Sequence, residues 1–148
     1  MLEERQEIKR PAEKEGVIFL LYKEGKFLIV KNIKPKSGFY GHFIFPGGEI
    51  EKAELAEQAV IREVNEEFGV NPKDVILLDT FEDVTLNLGY HRFHAYLVLD
   101  FEGEVKNKEP EKSVIQWVLP DEAREVLKLV SSRHPLNLAE RYINEEGL

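Results

Sequence analysis

Residues 45–70 read FPGGEIEKAELAEQAVIREVNEEFGV. From Ala53 to Phe68 the stretch holds good helix formers with no Gly or Pro, and Gly69 supplies the residue at which such a helix can turn off. With Glu63 set at zero and about 100° per residue, Glu66 falls at about −60° and Glu67 at about +40°, so three carboxylates share one face. The apolar residues Val60, Ile61, Val64 and Phe68 fall between about 60° and 160°, the stripe that must meet a sheet. The carboxylates therefore lie beside the buried edge, whereas a merely solvated face would lie opposite it. Ala56 and Ala59 sit one and two turns earlier on the carboxylate side and leave room for something to approach.

Outward from this segment the chain alternates strands and helices. Val17 to Tyr22, a turn at Glu24-Gly25, and Phe27 to Val30 predict a β-hairpin whose apolar runs are too continuous for a half-exposed sheet. Residues 31–42, KNIKPKSGFYGH, form a loop with Lys31, Lys34 and Lys36 close together. Phe43-Ile44-Phe45 is a short strand that meets a glycine loop at Gly47-Gly48. Further strands are expected at Val75–Thr80, Phe93–Phe101 and Ile115–Leu119, and helices from Pro120 to Val130 and from Leu136 to Ile143. Residues 1–15 read as a tail or marginal element and 16–148 as a single mixed α/β domain; no internal repeat is found.

Composition narrows the chemistry. A chain of 148 residues with 43% hydrophobic content can bury a full core. Its longest apolar run is too short to span a bilayer, and the N-terminus lacks an apolar signal stretch. Zero cysteines exclude disulfides, thiolate metal sites and a cysteine nucleophile, and point to the cytoplasm. Of the net charge of −8, five units fall between Glu49 and Val70, where seven Glu face Lys52 and Arg62. That balance argues against a nucleic-acid partner, which needs clustered cations. High Glu and Lys content with few Gln suggests a thermostable protein.

Carboxylates at i, i+3 and i+4 repel one another unless something positive sits among them. Arg62, at about −100°, can reach Glu66, and a hard divalent cation such as Mg²⁺ or Mn²⁺ neutralises the cluster better. Zinc is disfavoured, because His42, His91, His94 and His134 show no H-E-x-x-H spacing. A lone strand histidine such as His94 reads as a hydrogen-bonded structural residue.

Gly48, five residues, Glu54, seven residues, then Arg62-Glu63-Val64-Asn65-Glu66-Glu67-Phe68-Gly69-Val70 resembles the Nudix box, G-x5-E-x7-R-E-U-x-E-E-x-G-U with U aliphatic, at every specified position. Such agreement arises by chance on the order of once in 10⁸ windows. The resemblance to Nudix hydrolases, including MutT-like members, implies an α/β/α sandwich with a mixed β-sheet and the box as loop–helix–loop. It implies Mg²⁺- or Mn²⁺-dependent hydrolysis of a nucleoside diphosphate linked to another group, by water attack on phosphorus. Carried onto this chain, it makes Glu63, Glu66 and Glu67 metal ligands, with Gly47 a ligand through its carbonyl. Arg62 becomes the orienting cation and Glu54 a structural partner, and Glu63 is the first choice of base. A further carboxylate from a later loop is expected at Glu109 or Glu111, with Glu111 favoured. Lys31 is a candidate phosphate contact, and Tyr90, Arg92 and Asn137 are candidates for base or ribose.

Substrate signals are mostly negative. Thr85, Leu86, Asn87 and Leu88 stand where ADP-ribose or diadenosine polyphosphate hydrolases carry a marker Pro or Tyr, and Phe45-Pro46-Gly47-Gly48 differs from the F-P-Q-G of bacterial RNA-end enzymes. The expectation is a free nucleoside triphosphate or related small nucleotide. An RNA 5′-end pyrophosphohydrolase and a non-catalytic nucleotide sensor are the alternatives, and a homodimer is a family-based expectation.

Overall fold

The computed structural model describes residues 14–84 and 90–148. β1 (Lys14–Lys23) and β2 (Lys26–Asn32) form the expected hairpin, closed at Glu24 and Gly25, both with positive φ as a tight two-residue hairpin turn requires. Successive β1 side chains bury to opposite faces: Val17, Phe19 and Leu21 on one, Ile18 and Leu20 on the other. Two-sided burial explains the unbroken apolar run.

β3 (Phe43–Ile44) pairs with β2, and β4 (Gly47–Glu49) pairs antiparallel with β1. The glycines expected in a loop are therefore in a strand. Their missing side chains are what permit it: a Cβ on Gly47 would stand 2.2 Å from the Val17 carbonyl oxygen. β5 (Asn71–Val84) and β6 (Tyr90–Glu102) are a long antiparallel pair, and β6 runs parallel to β1, so the sheet is mixed. Its order is β3-β2-β1-β6-β5, with β4 added to β1 and β7 (Ser113–Val118) to β2. β1 pairs with β2 only at Tyr22 and Lys23 and with β4 at Gly16 to Ile18, so the sheet splits beside β1.

Helix α1 (Ala56–Phe68) covers one face through Ala59, Val60, Val64 and Phe68. Helices α2 (Pro120–Val126) and α3 (Val130–Glu146) cover the other through Ala123, Leu136, Ala139 and Ile143. This is the expected α/β/α sandwich.

Several bounds move. β1 begins at Lys14, inside the segment expected as a tail, because Lys14 and Glu15 pair with His91 and Arg92. α1 starts at Ala56 rather than Ala53, whose φ of 65° is left-handed. α2 stops before Leu127, and α3 begins six residues before Leu136 and runs through Pro135. Proline lacks the N–H that would bond the Ser131 carbonyl, but its fixed φ suits a helix and its ring is buried. Thr85, Leu86, Asn87 and Leu88, and residues 1–13, lie outside the described residues.

Candidate active site

The split beside β1 and the start of α1 meet at Gly47 and Gly48. Arg62 organises the helix side. Its Nε and Nη2 donate to the two Glu54 carboxylate oxygens at 2.8 and 3.0 Å, Nη1 donates to Glu63 Oε1 at 2.7 Å, and Nη2 also donates to the Glu49 carbonyl at 3.0 Å. Glu66 lies farther off, 3.4 Å from Nη1, and is more than half exposed. The forked guanidinium thus ties the end of β4, the loop before α1 and the helix into one unit, a task the flexible ammonium of a lysine performs poorly. Arg62 and then the Glu51 N–H hold the Glu54 carboxyl down at about 2. The helical spacing pointed Arg62 at Glu66, yet its tightest partners are Glu54 and Glu63.

Glu63 lies flat on β4: a Cβ on Gly48 would come 2.2 Å from its carboxyl carbon. Beside it, Glu67 is pushed far above the usual carboxylate range, first by burial, then by a shared hydrogen bond and charge from Glu63, with Glu109 adding to it. Burial and the neighbouring Glu63 carboxylate thus both disfavour a bare negative charge on Glu67. The carboxylate from the later loop that faces Glu67 is Glu109; Glu111 is exposed to solvent. The backbone decides this. Lys106 and Lys108 donate N–H groups to the Phe68 and Glu67 carbonyls at 3.0 Å each, closing the C-terminus of α1 and bringing Glu109 alongside.

A cavity of about 380 Å³ occupies the split on the other side of the glycines. Gly47 and Gly48 line it, with Phe39, Phe45 and Phe93 as its aromatic surface, Asn32, Ser37, Ser131 and Ser132 as neutral polar groups, and Lys14, Glu15, Glu49 and His91 besides. The carboxylates of α1 do not line it, so the glycine strand is the element the two share.

The NUDIX domain profile matches residues 13–138. The chain belongs to the Nudix family. It is 34% identical over 88 residues to an ADP-ribose pyrophosphatase of Methanocaldococcus jannaschii, covering 59% of this chain and 51% of that protein. It is 36% identical over 78 residues to an 8-oxo-dGTP diphosphatase of Proteus vulgaris, covering 50% of this chain and 65% of the other. The chain thus spans about half to two thirds of the length of these curated relatives. A MutT NUDIX hydrolase from Burkholderia pseudomallei shares the fold, with a TM-score of 0.75 over 88% of this chain and 98% of that one at 24% identity.

Within this Nudix fold the remaining expected contacts scatter. Lys31 is exposed on β2 with its ammonium 5.7 Å from the Phe43 ring centroid. Tyr90 donates its hydroxyl to Glu82 at 2.6 Å, and Arg92 bonds Glu82 at 2.9 and 3.0 Å and faces Glu15 at 3.6 Å. Asn137 is exposed on α3. None of the four lines the cavity. The residues that do, above all Ser131 and Ser132, carry no pattern that spacing could reveal. His94 bridges Thr80 and Glu15 at 2.9 and 2.8 Å, and His134 meets Asp79 at 2.8 Å. No helix among the described residues is long and apolar enough to cross a membrane.

Proposed function

We propose that this chain is a divalent-metal-dependent pyrophosphohydrolase of small nucleotides, with a nucleoside triphosphate as first choice of substrate. The observation that carries the reading is the Glu63–Glu67 pair, two carboxyls set side by side, one of them buried, against a glycine strand that also borders an aromatic cavity. Such a pair is an all-oxygen donor set short of positive charge, which suits Mg²⁺ or Mn²⁺. Among the described residues no three acidic or imidazole side chains form a ready cage, because Arg62 draws Glu63 and Glu66 toward itself. Magnesium fits that sparse set, since it is commonly held by one or two carboxylates with waters and substrate phosphates completing its shell.

Glu63 and Glu67 would hold the ion, with Glu66, Glu109 and the Gly47 carbonyl completing the protein's share. The ion, when bound, supplies positive charge at the phosphate oxygens and makes water acidic enough to attack. Arg62 fixes the orientation of Glu63, and Glu63 accepts the proton of the attacking water. Glu54 holds Arg62 from the opposite side. Gly47 and Gly48, without side chains, let β1 and the Glu63 side chain close on β4, which sets the cavity and the carboxylates about one strand. The same reading takes residues 14–148 as one catalytic domain and carries a cytoplasmic homodimer, which light scattering on the purified chain checks.

The test is phosphate or pyrophosphate release from a panel of nucleoside triphosphates, ADP-ribose and 5′-triphosphorylated RNA, with Mg²⁺ and with EDTA. Metal-dependent turnover of a free triphosphate is expected. Turnover of ADP-ribose alone would move the reading to the activity in the archaeal relative's name, and tight binding without hydrolysis would make the domain a sensor.

A further inference from the structure

The chain crosses the split in the sheet at two residues, Phe45 and Pro46. Val30 and Ile44 are the last facing pair of β2 and β3 on one side of the split, and Ile18 and Gly47 are the first of β1 and β4 on the other. Proline has no N–H, so the crossing carries one amide proton, that of Phe45, at a point between the two ladders. Phe45 is buried, and a buried N–H costs free energy unless a partner is supplied for it. The partner stands 87 positions along the chain: Ser132 Oγ accepts the Phe45 N–H at 3.2 Å.

Both ends of this bond are themselves held. Ser132 lies in the first turn of the 17-residue helix α3, where its own N–H and that of Arg133 donate to the Leu129 carbonyl at 3.0 and 2.9 Å. Leu127, just ahead of that helix, bridges to Phe43 on β3. On the crossing, the Pro46 carbonyl accepts the Phe19 N–H at 3.0 Å. The Phe45 ring is seated edge-on against Phe27, centroids 5.9 Å apart, so packing already secures the ring. What Ser132 adds is the path of the backbone. Pro46 fixes its own φ and keeps Phe45 extended, so little slack separates the Phe45 amide from Gly47.

We propose that Ser132 is a positioning residue for the metal site. By holding the Phe45 amide it fixes where the backbone enters β4, and so where the Gly47 carbonyl stands relative to the carboxylates of α1. The proposal rests on the reading of Gly47 as a metal contact above. It gives α3, on the opposite face of the sheet from those carboxylates, a share in the affinity for an ion that tolerates little departure from its preferred geometry.

Mn²⁺ is the probe, because its EPR signal counts the free ion and needs no turnover. Thr and Val are close in shape and differ by a hydroxyl against a methyl, so the pair separates the hydrogen bond from packing. Ser132→Val should raise the Kd of the nucleotide-free full chain for Mn²⁺ about tenfold, the scale of one hydrogen bond, and Ser132→Thr should stay within about twofold of wild type. Leu136→Ala weakens the packing of the same helix but leaves the hydroxyl in place, and below its melting temperature it should also stay within about twofold. If Ser132→Val does not fold, Ser132→Ala, which cannot overpack, replaces it with the same expectation. Equal Kd values for the Val and Thr variants, or a rise as large in Leu136→Ala, would each overturn the proposal. Absence of Mn²⁺ binding to the wild type would overturn it together with the metal reading. A rise in Kd at Ser132→Val without hydrolysis of any nucleotide would keep it and remove the hydrolase reading; Mn²⁺-dependent hydrolysis with equal Kd values would do the reverse.

Discussion

Helices α1 and α3 cover opposite faces of one sheet, and each buries a stripe of about the same kind, Val60, Val64 and Phe68 on one and Leu136, Ala139 and Ile143 on the other. They differ at the rim. α1 borders its stripe with Arg62, whose guanidinium fork holds Glu63 and reaches Glu66, and with Glu67 beside Glu63. α3 presents two neutral hydroxyls at its first turn. In both cases the groups suited to chemistry are on helix surface nearest the split in the sheet, and everything farther away is packing. A helix that only needs to pack tolerates exchange of its polar rim, so the two rims can be separated from the two stripes by mutation.

The largest expected effect is at the charged rim. Glu67→Gln and Glu66→Gln should each lower kcat by about a thousandfold while circular dichroism and melting temperature stay at wild-type values. Near-normal turnover in either would remove that residue from the site. The matching cut through the stripe of α3 is Leu136→Ala, which leaves a cavity in a fully buried position and should cost about 3 kcal/mol in denaturant unfolding. The folded fraction of Leu136→Ala should keep its kcat, measured below its melting temperature. If the stripe mutant lost turnover and the rim mutant lost stability, the division between rim and stripe would be wrong.

The same contrast sets what the sequence could disclose. Glu63, Glu66 and Glu67 were legible because like charges at i, i+3 and i+4 beside an apolar stripe repel one another at a cost that a bound cation removes, and Arg62 and Glu54 complete a pattern with fixed intervals. The hairpin at Val17–Val30 was legible because runs buried on two faces are continuous. β5 extends beyond the expected Val75–Thr80 because Asn71, Pro72 and Asp74 at one end and Phe81 to Val84 at the other pair with β6, with a register shift at Lys73, and backbone pairing leaves no trace in hydropathy. Glu109 and Glu111 are two residues apart with identical side chains, and only the N–H bonds from Lys106 and Lys108 to the end of α1 choose between them. Ser131 and Ser132 were hidden behind Pro135, which reads as a helix boundary. The contacts expected at Tyr90 and Arg92 are committed to Glu82, a pairing across β5 and β6 that no interval in the sequence predicts.

The glycine strand between the rims gives a finer test. A methyl on Gly48 meets the Glu63 side chain, which can move; a methyl on Gly47 meets the Val17 carbonyl, which cannot move without parting β4 from β1. Gly48→Ala should therefore lower kcat about tenfold to a hundredfold by displacing Glu63, with stability little changed. Gly47→Ala should instead destabilise the fold by about 1–3 kcal/mol, read by chemical denaturation. Equal effects of the two on stability would show that Glu63 is as rigid as the backbone.

The smallest effect is a difference in acid response between the rims. In the folded chain Glu54 stays ionised down to about 2 because Arg62, and then the Glu51 N–H, bond its charged form, whereas its ordinary value is 4.5. A carboxyl whose folded value is depressed contributes stability that is complete above the unfolded value and fades as pH falls through the folded one. Wild type should thus exceed Glu54→Gln in thermal stability by a constant margin above about pH 5, and the margin should close between about pH 4.5 and pH 2. Ser131→Ala, at the uncharged rim, should differ from wild type by the same small amount at every pH in that range. A margin for Glu54→Gln that did not narrow on acidification would mean that the fork from Arg62 to Glu54 positions Glu63 without stabilising the fold.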